Sequence, residues 1–172
     1  MFGFLKPKPA PEGPVQFGLE IEIEKPAEEV YPLIDWADPR NAKRQLGHRV
    51  DAVRDKPGRF EMYLDGLDGH VFEMMVTDEV PGREYGFHCV IRPTLGRLKT
   101  SHELYSLEPT GENSCRLQII TIAEFVEGMR MKHFEEEVAM MSIATHNALA
   151  KFKIHAEEGV EGVRAVEERL VV

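Results

Sequence analysis

The stretch "MKHFEEEVAMMSIATHNALAKFKIHAEE" (131–158) belongs to the longest segment free of glycine and proline in the chain. Its apolar spacing decides the architecture. An α-helix turns about 100° per residue, so positions three and four apart share a side. From Phe134 the stripe runs through Val138, Met141, Thr145, Ala148, Leu149, Phe152 and Ala156, with Met131 one turn earlier. Glu135, Glu136, Lys151 and Lys153 fall outside it. The spacing predicts an amphipathic helix over roughly 129–157, about 40 Å long at 1.5 Å per residue. A stripe of that length needs a broad apolar surface to lie on.

The rest of the chain supplies one. Phe17, Leu19, Ile21 and Ile23 alternate with Gly18, Glu20, Glu22 and Glu24, the period of a strand with one buried and one wet face. Pro26, followed by Glu28 and Glu29, starts a helix that carries Val30, Leu33 and Ile34. Asp38-Pro39 restarts a second short helix, expected to end near Gly47. From Gly47 to Val126, strand-like runs are separated by turn chemistry at Lys56-Pro57-Gly58, Asp65–Gly69, Pro81-Gly82, Leu95-Gly96 and Pro109-Thr110-Gly111. Short turns favour antiparallel neighbours, because a parallel pair needs a long crossover. The expected fold is α+β: a curved antiparallel sheet of about seven strands, two short helices after the first strand, and a long C-terminal helix across the concave face. It forms one domain, 15–158. A Pro-rich leader, 1–14, is expected to be disordered. A tail, 159–172, places Val160, Val163, Val166 and Leu170 at nearly helical spacing.

Composition narrows the function classes. At 172 residues, with 42% hydrophobic and 30% charged residues, the chain can bury a core without disulfides or metals. A net charge of −9 argues against general nucleic-acid binding. It also argues against electrostatic attachment to an anionic membrane. No apolar run approaches the ~20 residues of a membrane span, so stable insertion is not expected. The leader has Lys6 and Lys8 but too short an apolar start for a signal peptide, which points to the cytoplasm. Cys89 and Cys115 lie in strands with no CxxC and read as buried thiols. HExxH, GxSxG, P-loop and GxGxxG patterns are absent from the sequence, so no metal or cofactor is expected.

Two segments carry a family resemblance. "EIEIEKPAEEVYPLIDW" (20–36) leads a strand into a helix through Pro26, with Val30 and Trp36. "SHELYSLEPTGENSCRLQII" (101–120) looks like a penultimate hairpin, and the long helix completes the order. The chain resembles the START-like, helix-grip superfamily over roughly 15–158. That superfamily includes polyketide cyclases/dehydrases, plant steroid-binding proteins and coenzyme Q-binding proteins. The resemblance implies a space between sheet and helix for a small hydrophobic molecule of lipid, sterol, quinone or polyketide class. After Trp36 the segment "ADPRNAKRQLG" departs from many relatives. Its Arg40, Lys43 and Arg44 read as a basic lip at the mouth of such a space.

The expected ligand wall comprises Phe17, Leu19, Met62, Met74, Phe87, Phe134, Val138, Met141 and Phe152, thioethers making it adaptable. His102, Thr121 and Thr145 are the expected polar anchors. An even-length hairpin loop pairs His102 with Ile119 and turns it inward, whereas a bulge would turn Glu103 and Tyr105 inward instead. Binding or transport of a hydrophobic ligand is the leading reading. A cyclase/dehydratase-type enzyme using His102, with Tyr105, is an alternative. An interaction module with a filled core is another. Ala139, Met140, Ile143, Ala150 and Ile154 make the back of the helix apolar, to be covered by the tail, to meet a second copy in a homodimer, or simply to stay exposed.

Overall fold

Strict alternation makes β1 (Val15–Ile23) a strand whose odd-numbered residues turn inward while Gln16, Gly18, Glu20 and Glu22 face solvent. The computed structural model describes residues 8–170, with Leu170 described by its backbone alone. β1 is followed by α1 (Ala27–Ile34) and α2 (Ala42–Gln45), then by β2 (Arg49–Ala52), β3 (Arg59–Tyr63) and β4 (Val71–Val80). β5 (Glu84–Arg92), β6 (Leu98–Gly111), β7 (Ser114–Phe125) and α3 (Met131–Leu170) complete the order. All neighbours pair antiparallel in one seven-stranded sheet, ordered β1-β7-β6-β5-β4-β3-β2. Hairpins set the meander, and β1 joins it beside β7.

The core lies on the concave face. Ile23, Leu117, Ile119, Leu107, Tyr85, Phe87, Met74, Met62 and Phe60 point into it from the sheet. Val30, Tyr31, Ile34 and Trp36 cover it from α1 and its exit, and Leu149 from α3. Each fully buried aliphatic side chain contributes roughly 1.5–3 kcal/mol. Tyr31 meets Tyr85 edge-on at 6.1 Å, and Trp36 meets Phe87 at 5.3 Å. Cys89 and Cys115 are buried free thiols.

The second short helix begins later than its Asp38-Pro39 signal suggests. Asp38 instead holds a turn, accepting from the Arg40 backbone N–H at 2.8 Å. Asn41 is the cap: its Oδ1 accepts from the Lys43 N–H at 3.0 Å, and its Nδ2 donates to the carbonyls of Ile34 and Asp35. That double use ties the two short helices together.

The long helix lies along β1 and β7 and reaches α1 and α2. It is broken at Gly159, whose φ of 78° and ψ of −176° are non-helical. Lys151 and Glu167 nevertheless touch. Sixteen residues of straight helix would hold them about 24 Å apart, so the chain reverses at Gly159. The tail segment, 160–170, folds back and fully buries Val163. Ala150 and Ile154 are half-buried, Gly162 of the tail lying close to Ile154, whereas Met140 and Ile143 on the same back face stay 57% and 61% exposed. At the other end, residues 1–7 of the leader lie outside the described residues. The Met131 N–H donates to the Lys8 carbonyl, and the Ala10 N–H to that of Met129, both at 2.9 Å. Among the described residues no helix is long and apolar enough to cross a membrane.

Candidate ligand-binding site

A single extra residue sets the chemistry of the concave face. At the hairpin tip Gly111 pairs with Ser114, but one step on Pro109 pairs with Cys115, leaving Thr110 as a bulge. The bulge moves the register by one, and side chains alternate with period two, so everything on β6 beyond it changes face. Without it His102 would align with Ala123 on the inner face. With it His102 pairs with Ile122, while Glu103 pairs with Thr121 and Tyr105 with Ile119. The expectation of an inward His102 is therefore corrected: Glu103 and Tyr105 point inward instead.

Glu103 is the most unusual group in the interior. Burial pushes its carboxyl up to about 7, opposed by the hydrogen bond it accepts from the Tyr105 hydroxyl. That bond is long, 3.4 Å between Tyr105 Oη and Glu103 Oε2. A carboxylate offers about four acceptor positions, so Glu103 has acceptor capacity left beyond this bond. Burial also holds the Tyr105 hydroxyl well above its ordinary range, with Glu103 adding to the effect. The Cys89 thiol is likewise raised, to about 12, by burial first and then by Glu103. Cys89 is therefore a protonated thiol and a poor nucleophile. Near neutral pH Glu103 is divided between acid and carboxylate, able to donate to a carbonyl or accept from a hydroxyl.

Aromatic rings frame this pair. Phe87 stacks on Tyr105 at 5.9 Å, and Phe152 of α3 meets the other side of Tyr105 edge-on at 5.9 Å. Trp36 stands against Phe87, and its buried Nε1–H has no partner among the described residues. The Tyr31 hydroxyl is buried and, among the described residues, likewise unpartnered. Thr121 and Thr145 meet across the sheet–helix interface at 3.4 Å between hydroxyls, both buried. Further along, Glu137 of α3, 5% exposed, takes an Arg97 hydrogen bond at 3.1 Å and ties the β5–β6 loop to the helix.

No protein-family model matches this sequence, and no curated protein matches it. Solved structures match in shape. A protein from Arthrobacter aurescens, determined by solution NMR, superposes with a TM-score of 0.63 at 19% identity, over 83% of this chain and 86% of the other. The Streptomyces aromatase/cyclase Zhui gives 0.60 at 12% identity, over 84% and 97%. Norcoclaurine synthase from Thalictrum flavum, in complex with dopamine and hydroxybenzaldehyde, gives 0.60 at 12% identity, over 91% and 88%. With the sheet order and the terminal helix, these superpositions decide the fold. The chain has the START-like helix-grip fold. At such identities the likeness is one of fold.

Within the helix grip the expected wall residues divide into groups. Met62, Met74 and Phe87 are buried together in the core, with Leu19 and Phe152 packed against them. Thr121 and Thr145 form the hydroxyl pair described above, and Phe17 lies opposite Thr121 in the β1–β7 ladder. Val138 and Met141 are half-buried on the helix stripe. Phe134 lies at the far end, edge-on to Phe125 at 5.9 Å. There it lines a cleft of about 450 Å³ together with Phe125, Met129 and leader residues Pro9–Gly13. His102 is apart from all of them. On the convex face it stacks on His88 at 4.2 Å and meets Thr77 Oγ1 at 3.0 Å. Of the expected basic lip, Arg40 pairs with Asp38, and Arg44 is spent on the carbonyls of Val50 and Trp36. Lys43 alone turns toward α3, where Lys151 and Glu167 act on its charge. Glu103 was expected inward only if the hairpin carried a bulge, and no role was expected of it. Its signal was the alternation of 101, 103, 105 and 107, no less apolar than that of 100, 102, 104 and 106.

Proposed function

We propose that the protein binds a small, largely apolar molecule between sheet and helix, and that Glu103 with Tyr105 is its polar anchor. The observation that carries this reading is the half-buried Glu103 carboxyl on the concave face, hydrogen-bonded to Tyr105, whose ring stacks on Phe87, and raised to about 7 by burial. Its remaining acceptor positions can take a hydrogen bond from a ligand hydroxyl, and such a bond to a charged group contributes about 1.5–3 kcal/mol. Apolar walls with few polar groups are the usual make-up of a small-molecule site. The fold is shared with an aromatase/cyclase and with a synthase crystallised with aromatic compounds, which agrees with an aromatic or polycyclic guest.

A cyclase- or dehydratase-type reaction is the second reading, favoured by the same titration. A carboxyl near 7 at working pH is suited to general acid–base transfer, which contributes about 10²–10⁴ in rate. In that reading Glu103, in the role first given to His102, moves the proton and Tyr105 orients it.

Binding of 2-naphthol, followed by methyl NMR of the methionines, tests the site. Met62 and Met74 are buried in the core, whereas Met140 is 57% exposed. Selective shifts at Met62 and Met74, weakened about tenfold or more by Glu103→Gln, are expected from loss of a charge-assisted bond. Shifts confined to Met140, or binding indifferent to Glu103→Gln, would refute the assignment.

A further inference from the structure

A second constellation lies where the tail meets α2 and α3. A slot of about 40 Å³ is lined by Lys43 and Leu46 from α2 and its exit, by Lys151, Phe152 and His155 from the long arm of α3, and by Val163 from the tail. Val163 is fully buried there. Glu167, one turn further, accepts a hydrogen bond from Lys151. That bond holds the Glu167 carboxyl below its ordinary range, and the charges of Lys43 and His48 add to the effect. Burial lowers Lys43, the neighbouring Lys151 lowers it further, and Glu167 opposes both. One ammonium group thus touches this carboxylate, and a second, that of Lys43, lines the same slot. It is an anion site filled by the chain's own side chain.

The slot borders the core. Phe152 forms its inner wall and is also the ring that meets Tyr105, whose hydroxyl donates to Glu103. His155, 5% exposed, lines the slot as well. Its Nε2 meets Gln45 Oε1 at 3.2 Å, but its buried Nδ1 has no partner among the described residues. An orphaned buried nitrogen calls for an explanation, and a bound polar group is one. The tail is seated by Val163 and by an ion pair whose side chains are 36% and 40% exposed, a kind that contributes little. Its reversal depends on Gly159, in a backbone region essentially reserved for glycine.

Resting on the reading that the interior takes an apolar guest, we infer that the tail segment is a self-inhibitory plug over the entrance for a carboxylate-bearing amphiphile. The ligand's carboxylate replaces that of Glu167 at Lys43 and Lys151. Its apolar chain displaces Val163 and passes Phe152 toward Glu103.

Dodecanoate and dodecan-1-ol, equal in chain length, separate the head from the chain. Hydrogen exchange of the full-length protein is measured with and without dodecanoate, and affinities are compared for Glu167→Gln, Gly159→Ala and Lys43→Met. Dodecanoate is expected to speed exchange of the tail amides about tenfold or more, because it unseats them. Glu167→Gln removes the competing ion pair and is expected to tighten both probes by about fivefold. Gly159→Ala reproduces that gain by disfavouring the reversal. Lys43→Met weakens dodecanoate by about tenfold and leaves dodecan-1-ol unchanged. Tail exchange that is unchanged or slowed by dodecanoate, or affinities indifferent to Glu167→Gln, would overturn the plug. If 2-naphthol still shifts Met62 and Met74 in that case, the interior site stands and only the plug falls. If no probe binds either the parent protein or Glu167→Gln, both fall.

Discussion

Glu103 and His102 are neighbours on one strand, yet they occupy different chemical worlds. Glu103 faces the concave side, where burial lifts its carboxyl to about 7. His102 faces the convex side, where burial and the adjacent His88 lower its pKa while Asp78 raises it. The histidine is the residue whose ordinary pKa suits proton transfer at neutral pH. It has a hydroxyl partner and a stacked ring, but no place in the interior. The glutamate, ordinarily a surface anion, is the one that faces the sheet–helix interior with a raised carboxyl. Residue type proposes a role, and facing decides which residue takes it.

The contrast can be broken most forcefully through packing. Ile119 is fully buried on the concave face, while Ile122, opposite His102, is only half-buried on the other. Ile119→Ala should cost about 2–5 kcal/mol, and Ile122→Ala about 1 kcal/mol or less, in proportion to the area it hides. Urea midpoints would show the difference, and equal losses would mean that the two faces are not distinct.

The next effect depends on pH. In the folded chain Glu103 titrates above its ordinary value of 4.5. The folded state therefore holds on to a proton that the unfolded state releases between 4.5 and about 7. The favourable contribution is fully present below the unfolded value and is lost as pH rises through about 7. A shift of that size corresponds to about 3 kcal/mol. Glu103→Gln, which cannot ionise, should gain on the parent protein by about that amount from pH 4 to pH 8. Parallel stability curves would show that the carboxyl is not buried.

His102→Ala should matter least. It removes the Thr77 contact and the His88 stack, worth about 1 kcal/mol together. Affinity for 2-naphthol should be unchanged, measured beside Glu103→Gln. A loss matching that of Glu103→Gln would restore His102 to the site.

The elements were legible because their patterns are strong and local. The stripe from Phe134 to Ala156, the alternation from Phe17 to Ile23 and the turn residues between the strands each state a period, and the sheet and helix follow from them. The facing of β6 was not legible, because Ser101, Glu103, Tyr105 and Leu107 are about as apolar as Thr100, His102, Leu104 and Ser106. With no contrast between the two sets, register rested on the turn, and the bulge at Thr110 changed it by one. The start of α2 was missed because Asp38 and Asn41 are both good caps, and only the tertiary contacts of the Asn41 amide distinguish them. The tail's reversal was left open beside a second copy, since only backbone geometry fixes the break at Gly159.

The most direct test is the titration of the Glu103 carboxyl itself, followed by ¹³C NMR of its side-chain carboxyl carbon from pH 3 to 9, free and with saturating 2-naphthol. A midpoint near 7 in the free protein, moved by the ligand, is the expected result. A midpoint near the ordinary 4.5, indifferent to ligand, would mean that Glu103 is solvated and that the concave face has no polar anchor there.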